Sequence, residues 1–230
     1  MADRSVLVTG GTGGLGGAVT DAFLEAGWRV VVPGRESTAP TDPAGDGPVR
    51  LTADLTDPAG ARRAVEIAAG EPTAPLRAVV NLVGGYASGG LVHETPIEEF
   101  DRMLTVTLRP TYLVTQAALP HLIAAGGGAV VCVSARAALA PFPGAAGYVT
   151  AKAAVLAFAN AVATEYRSAG VRCNTVLPSV IDTPANRAAQ PDADHRRWVA
   201  PTEIAPVIRF LAGDESGPTS GATVPVYGRA

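Results

Sequence analysis

Seven short apolar runs alternate with helical patterns along this chain. The runs are Val6–Thr9, Val30–Pro33, Val49–Ala53, Ala78–Val83, Ala129–Val133, Arg172–Leu177 and Thr223–Val226. Helical patterns cover Leu15–Ala26, Pro58–Ala69, Ile97–Ala125, Gly147–Ala169 and Thr202–Leu211. A strand that is apolar on both faces must be covered on both, and crossover helices between parallel strands do this. The expectation is one α/β domain over residues 1–230, a doubly wound parallel sheet of about seven strands with helices on both faces. Pro110, inside the third helical pattern, predicts a bend or a break there.

Composition narrows the partners. A net charge of −3 offers no basic field to nucleic acid. No continuous apolar run approaches the roughly 20 residues that span a bilayer, so no membrane partner is expected. Met1-Ala2-Asp3-Arg4 leads straight into a strand pattern, which reads as a cytoplasmic chain without a leader. Cys132 and Cys173 lie in separate apolar runs without metal-ligand spacing and read as buried thiols. His93, His121 and His195 are scattered and form no metal site.

The first run ends in Thr9-Gly10-Gly11-Thr12-Gly13-Gly14-Leu15-Gly16, and a helical pattern follows. Glycine lets a backbone turn tightly and approach a pyrophosphate, and the helix N-terminus adds free N–H groups and positive potential. Between strand and helix, this cluster predicts dinucleotide binding in a single-domain Rossmann fold, with Gly10, Thr12, Gly13, Leu15 and Gly16 at the cofactor. The second run ends in Pro33-Gly34-Arg35. A carboxylate there would bind the ribose 2′-hydroxyl of NAD, whereas an arginine accommodates the 2′-phosphate of NADP. Arg35 therefore favours NADP(H) over NAD(H). Asp54-Leu55 closes the third run, in reach of an adenine. Asn81-Leu82-Val83-Gly84 closes the fourth, where glycine again permits close approach.

Of 18 basic residues, Lys152 is the only lysine. It lies one helical turn after Tyr148, so the two share a face. A free tyrosine has a pKa near 10, and a neighbouring ammonium is expected to lower it. Lysine does this as a compact point charge that arginine's planar fork does not reproduce. Tyr148 and Lys152 are the candidate catalytic pair, and Lys152 also has the reach to hold a cofactor ribose.

The glycine motif, Asp54, Asn81-x-x-Gly84, Tyr148-x-x-x-Lys152 and Pro178-Ser179-Val180-Ile181-Asp182-Thr183 come in the order seen in short-chain dehydrogenases/reductases, which the whole chain resembles. The resemblance implies an NAD(P)H-dependent oxidoreductase acting on a small molecule. It implies that Pro178, Ile181 and Thr183 lie at the nicotinamide. It also implies a homodimer or homotetramer built on the helices around 97–125 and 147–169. Residues 184–201, beyond a strand's carboxyl end, are the expected substrate lid.

Two departures from the family pattern stand out. The position of the family's substrate-binding serine is Ala135, with Ser134 one residue off, and on a strand that offset faces the other way. The position of its helix asparagine is Thr107. Dihydropteridine reductases also carry alanine at the serine position, and several stretches here are similar to theirs, among them Gly84-Gly85-Tyr86-Ala87-Ser88-Gly89-Gly90 and Ala135-Arg136-Ala137-Ala138-Leu139. That resemblance implies hydride transfer to an already activated C=N or quinonoid acceptor, with Tyr148 as proton donor. Two alternatives stay open: a ketone or 3-oxoacyl reductase, and a non-catalytic NADP-binding redox sensor. Tyr86 and Trp198 are candidates to stack on a planar substrate ring.

Overall fold

The computed structural model describes residues 2–35 and 47–229. Most of the Pro/Asp/Gly loop read at Thr38–Pro48 lies outside them. Seven parallel strands form one sheet in the order β3-β2-β1-β4-β5-β6-β7. They are β1 (Ser5–Thr9), β2 (Arg29–Gly34), β3 (Val49–Thr52), β4 (Leu76–Asn81), β5 (Gly128–Val133), β6 (Val171–Pro178) and β7 (Thr223–Val226). The helices are α1 (Gly16–Glu25), α2 (Pro58–Ala69), α3 (Ile97–Ala124), α4 (Ala146–Glu165), α5 (Pro184–Ala189) and α6 (Pro201–Ala212). The doubly wound sheet expected from the alternation is the observed one.

Strand alternation sorts the core into two layers. Leu7, Val31, Val79 and Val130 point to one face and pack with residues of α2, α3 and α4, such as Val65, Val114 and Val155. Val6, Val8, Val30, Val80 and Val131 point to the other, against Phe23 of α1 and Ile204 and Ile208 of α6. Adjacent residues facing opposite layers require both faces to be apolar, hence the continuous runs. Helix starts follow local chemistry. Asp57 accepts from the Gly60 N–H at 3.0 Å with Pro58 in the first turn of α2. Glu203 accepts from the Ala200 N–H at 2.8 Å ahead of α6.

Two sequence expectations are corrected. The break at Pro110 does not occur: α3 runs unbroken over 28 residues. The proline ring is buried in the fold, and the Thr111 hydroxyl donates to the Thr107 carbonyl at 2.9 Å beside it. Second, α4 is long and apolar enough to cross a membrane by length and composition. Thr150, Lys152, Asn160 and Thr164 interrupt it, so it holds no continuous apolar run of that length. In the fold it lies against α3 and β6 and buries Lys152. Cys132 and Cys173 are free and buried, as read.

The strand order reverses between β1 and β4. Connections leave the sheet there in opposite directions and open a crevice at the strands' carboxyl ends. Thr9 clamps that crevice. Its hydroxyl donates to the Val80 carbonyl at 3.3 Å, and the Leu82 N–H donates to it at 3.2 Å.

Candidate active site

The loop between β1 and α1 is built around Gly10, which has φ +70°. The Gly13 N–H donates to the Gly10 carbonyl at 3.0 Å and closes the turn. A Cβ on Gly16 would run into that same carbonyl, and one on Gly14 would lie 2.6 Å from the Thr183 methyl. The loop is therefore a bare-backbone cradle, with Thr183 closing its rim. Leu15 is buried and anchors the loop at the start of α1.

A cavity of about 340 Å³ opens beside it, lined by Gly10, Thr12, Gly34, Arg35, Asp54 and Leu55 among others. Of the fourteen expected cofactor residues, Gly10, Thr12, Arg35, Asp54 and Leu55 meet in its wall. Sequence reasoning missed Val83 and Pro110 in its wall, because a lone apolar residue just past a strand or inside a helix carries no binding signal before the chain is folded. Asp54 is held below the usual carboxylate range, chiefly by the Thr56 hydroxyl and N–H that donate to it at 2.7 and 2.9 Å. Arg35, exposed at the cavity rim, adds to this.

Asn81 is not among the residues lining this cavity. Its side-chain amide is buried and donates to the Thr115 hydroxyl at 3.0 Å, so it ties β4 to α3 instead of lining the cavity. Its Oδ1 has no protein partner among the described residues. Gly84 leaves room for the lysine: a Cβ there would lie 3.0 Å from Lys152 Nζ. Pro178 is buried at the end of β6. Ile181 pairs with Val199 and accepts at its carbonyl from Asn186 Nδ2 at 2.8 Å. The Thr183 hydroxyl accepts from the Asn186 N–H at 3.2 Å and starts α5. These bonds hold the 178–183 segment against the glycine cradle.

Tyr148 and Lys152 share the inner face of α4. Lys152 is 7% exposed, and its Nζ donates to the Val133 carbonyl at 3.1 Å. Burial pulls the ammonium down to about 8. Tyr148 is half-buried, and burial raises its phenol to about 12, with Tyr86 adding to the shift. The expectation that Lys152 lowers the Tyr148 pKa is therefore corrected. The ammonium is turned to β5, and desolvation dominates the phenol. At about 12 the phenol is neutral at pH 7 and a weaker acid than a free tyrosine, whose value is near 10.

Neither candidate serine position supplies a free hydroxyl. Ser134 is 3% exposed, and its Oγ donates to the Lys152 carbonyl at 2.7 Å. Ala135 has none. Thr107 is buried and accepts from the Gly85 N–H at 3.1 Å. Around the mouth, exposed apolar side chains stand on three strand-end loops: Leu91 and Val92, Leu139 and Phe142, and Val180.

Residues 184–201 fold into α5, a single turn at His195–Arg197 and a return at Val199, whose N–H donates to the Val180 carbonyl at 3.1 Å. His195 is half-buried: its ring lies 4.3 Å from that of Trp198, and its Nε2 lies 2.9 Å from the Gln190 carbonyl. A second cavity of about 760 Å³ is lined there by Asp182, Arg187, His195, Trp198 and others, and neither Tyr148 nor Tyr86 belongs to it. Trp198 thus lines a cavity that Tyr86 does not. Among the described residues, no three His, Cys, Asp or Glu side chains cluster as a metal site.

Comparison with known proteins fits this arrangement. A family model described as short chain dehydrogenase matches residues 4–194. The chain is 32% identical to the 2-(R)-hydroxypropyl-CoM dehydrogenase of Xanthobacter autotrophicus, over 98% of this chain and 97% of that protein. It is 30% identical to the 3-oxoacyl-[acyl-carrier-protein] reductase MabA of Mycobacterium bovis, over 98% and 92%. The solved structure of ElxO with NADP bound superposes with a TM-score of 0.90 at 23% identity, over 98% of both chains, and shares the fold. The chain belongs to the short-chain dehydrogenase/reductase family and is an NAD(P)-dependent oxidoreductase.

Proposed function

We propose that the protein is an NADP(H)-dependent reductase of a C=O, C=N or quinonoid group in a small molecule, with Tyr148 as the proton donor. The observation that carries the reading is the half-buried Tyr148 phenol one helical turn from the buried Lys152, whose Nζ stands against Gly84 just past the end of β4. When bound, the nicotinamide supplies the hydride. Gly10, Thr12, Gly13 and Gly16 face its pyrophosphate with backbone alone, and Arg35 meets the 2′-phosphate. Ile181 and Thr183 hold the nicotinamide end, and Lys152 holds the adjoining ribose from within the protein. The Tyr148 Oη gives its proton to the atom that becomes negative as the acceptor is reduced. Residues 184–201 serve as the lid. The exposed apolar side chains at the mouth suit an acceptor with an apolar body. The Tyr112–Phe158 pair across α3 and α4, with Tyr112 exposed, Phe158 half-buried and the rings 5.5 Å apart, suits packing against a second copy.

Replacing Tyr148 with Phe tests the reading. Turnover with NADPH should fall at least a thousandfold while the NADPH dissociation constant stays within about twofold. Persistent turnover sinks the proton-donor role. NADPH left unoxidised with quinonoid dihydropterin, imines and ketones alike would favour the redox sensor.

One observation favours the narrower dihydropteridine-reductase-like reading. Ala135 has no hydroxyl and Ser134 is turned away. An activated C=N or quinonoid acceptor needs less polarisation than a ketone.

A further inference from the structure

Removing one oxyanion donor typically lowers kcat by about 10²–10³. Among the family's substrate-facing positions, Ser134 donates to the Lys152 carbonyl, Ala135 has no hydroxyl, and Thr107 is 1% exposed behind Gly85, whose N–H it accepts. One phenol remains beside the reacting tyrosine. Tyr86 is 59% exposed, and its ring meets that of Tyr148 edge-on, with centroids 5.0 Å apart at 71°. The Tyr86 hydroxyl lies 2.9 Å from the Ser88 hydroxyl. If Ser88 donates to it, the Tyr86 O–H is free to donate onward.

The loop that carries Tyr86 is pinned at both ends. Gly85 is held to α3 by its bond to Thr107, and a Cβ there would strike Val106 and Met103. Gly89 donates to the Gly144 carbonyl at 2.8 Å, just ahead of α4. A Cβ on Gly144, which has φ +78°, would meet the Gly89 carbonyl at 2.7 Å. The segment 86–88 is thereby stretched across the front of Tyr148. The Tyr148 phenol rises partly because Tyr86 is near it.

We propose that Tyr86, oriented by Ser88, is a catalytic residue that donates to the acceptor's oxygen or nitrogen the hydrogen bond that Ala135 cannot make. This rests on the reductase reading above. It predicts a donor on the loop after β4 in place of one on β5, and turnover of acceptors that are not activated.

The test is a cycle of Tyr86→Phe, Ala135→Ser and the double variant, assayed with NADPH against ethyl acetoacetate and phenanthrenequinone. Tyr86→Phe should lower kcat on either probe about a hundredfold without changing NADPH binding. Ala135→Ser should restore at least tenfold in the Tyr86→Phe background and add little to the wild type. Wild-type kcat in Tyr86→Phe overturns the proposal, as does an equal gain from Ala135→Ser in both backgrounds. Failure of the reductase reading itself looks different, since the wild type would then leave NADPH unoxidised with both probes, and failure of the Tyr148 assignment would leave Tyr148→Phe with full turnover. A readout independent of turnover is ultraviolet titration of the Tyr148 phenol, taken as the difference from Tyr148→Phe. It should move to lower pH in Tyr86→Phe, and an unmoved titration overturns the proposal by separating the two rings.

Discussion

Ser134 and Lys152 bind each other's neighbourhoods across β5 and α4. The Ser134 hydroxyl donates to the Lys152 carbonyl at 2.7 Å, and Lys152 Nζ donates to the Val133 carbonyl at 3.1 Å. The two bonds run in opposite directions between the same strand end and the same helical turn. They fix where the ammonium stands and remove Ser134 from the substrate's reach. In Ser134→Ala the fold should lose about 1–2 kcal/mol, the worth of a buried hydrogen bond. Turnover should change less than tenfold. Thermal unfolding and kcat check this together, and a hundredfold loss of kcat in a stable variant would show that Ser134 serves the substrate after all.

Lys152 gives a signed pH dependence. Its folded-state value of about 8 lies below the ordinary 10.5, so its burial opposes folding while the group is charged. Between those values the unfolded chain binds more protons than the folded one. Stability from this group therefore rises as pH climbs from about 8 toward about 10.5. Tyr148, raised from 10 to about 12, acts oppositely and lowers stability above about pH 10. In Lys152→Met the rise above about pH 8 should vanish, while NADPH affinity falls. Urea unfolding stepped from about pH 7 to 10 reads it out.

Arg35 stands at the cavity rim beside Asp54. In Arg35→Ala the KM for NADPH should rise tenfold or more, about the value of one or two charge-assisted hydrogen bonds. The KM for NADH should move less than threefold. Equal effects on both cofactors would show that Arg35 does not meet the 2′-phosphate.

Gly14 gives a steric test of the cradle. The added carbon of Gly14→Ala falls 2.6 Å from the Thr183 methyl, so one of the two must shift. NADPH affinity by fluorescence titration should drop at least tenfold. Thr183→Ser in that background removes the methyl but keeps the hydroxyl that starts α5, and part of the affinity should return. Unchanged affinity in Gly14→Ala would show that the loop can move without harm to the cofactor site.

Much of the fold could be read from period alone. The seven strands and five long helices were placed to within a few residues, because a parallel sheet covered on both faces leaves continuous apolar runs. Gly10 and Gly16 were legible because a tight turn admits no Cβ. The side-chain directions were not. Asn81 turned to Thr115 because its amide, buried at a strand end, must find a partner. Lys152 turned to Val133 for the same reason. Trp198, paired with Tyr86 as a stacking candidate by residue type, lines a cavity that does not include Tyr86, because residues 184–201 return to Val180 through Val199.

The sequence by itself determined the layered sheet, the cradle and the Tyr148–Lys152 spacing. Each of these follows from local periodicity or from what a glycine or a helical turn permits. Only the tertiary structure decided how the reacting centre is tuned. Desolvation and hydrogen-bond partners come from elements far apart in the chain. They raise the Tyr148 phenol, turn the lysine to the Val133 carbonyl and Ser134 to the lysine's carbonyl, and set the Tyr86 ring against that of Tyr148.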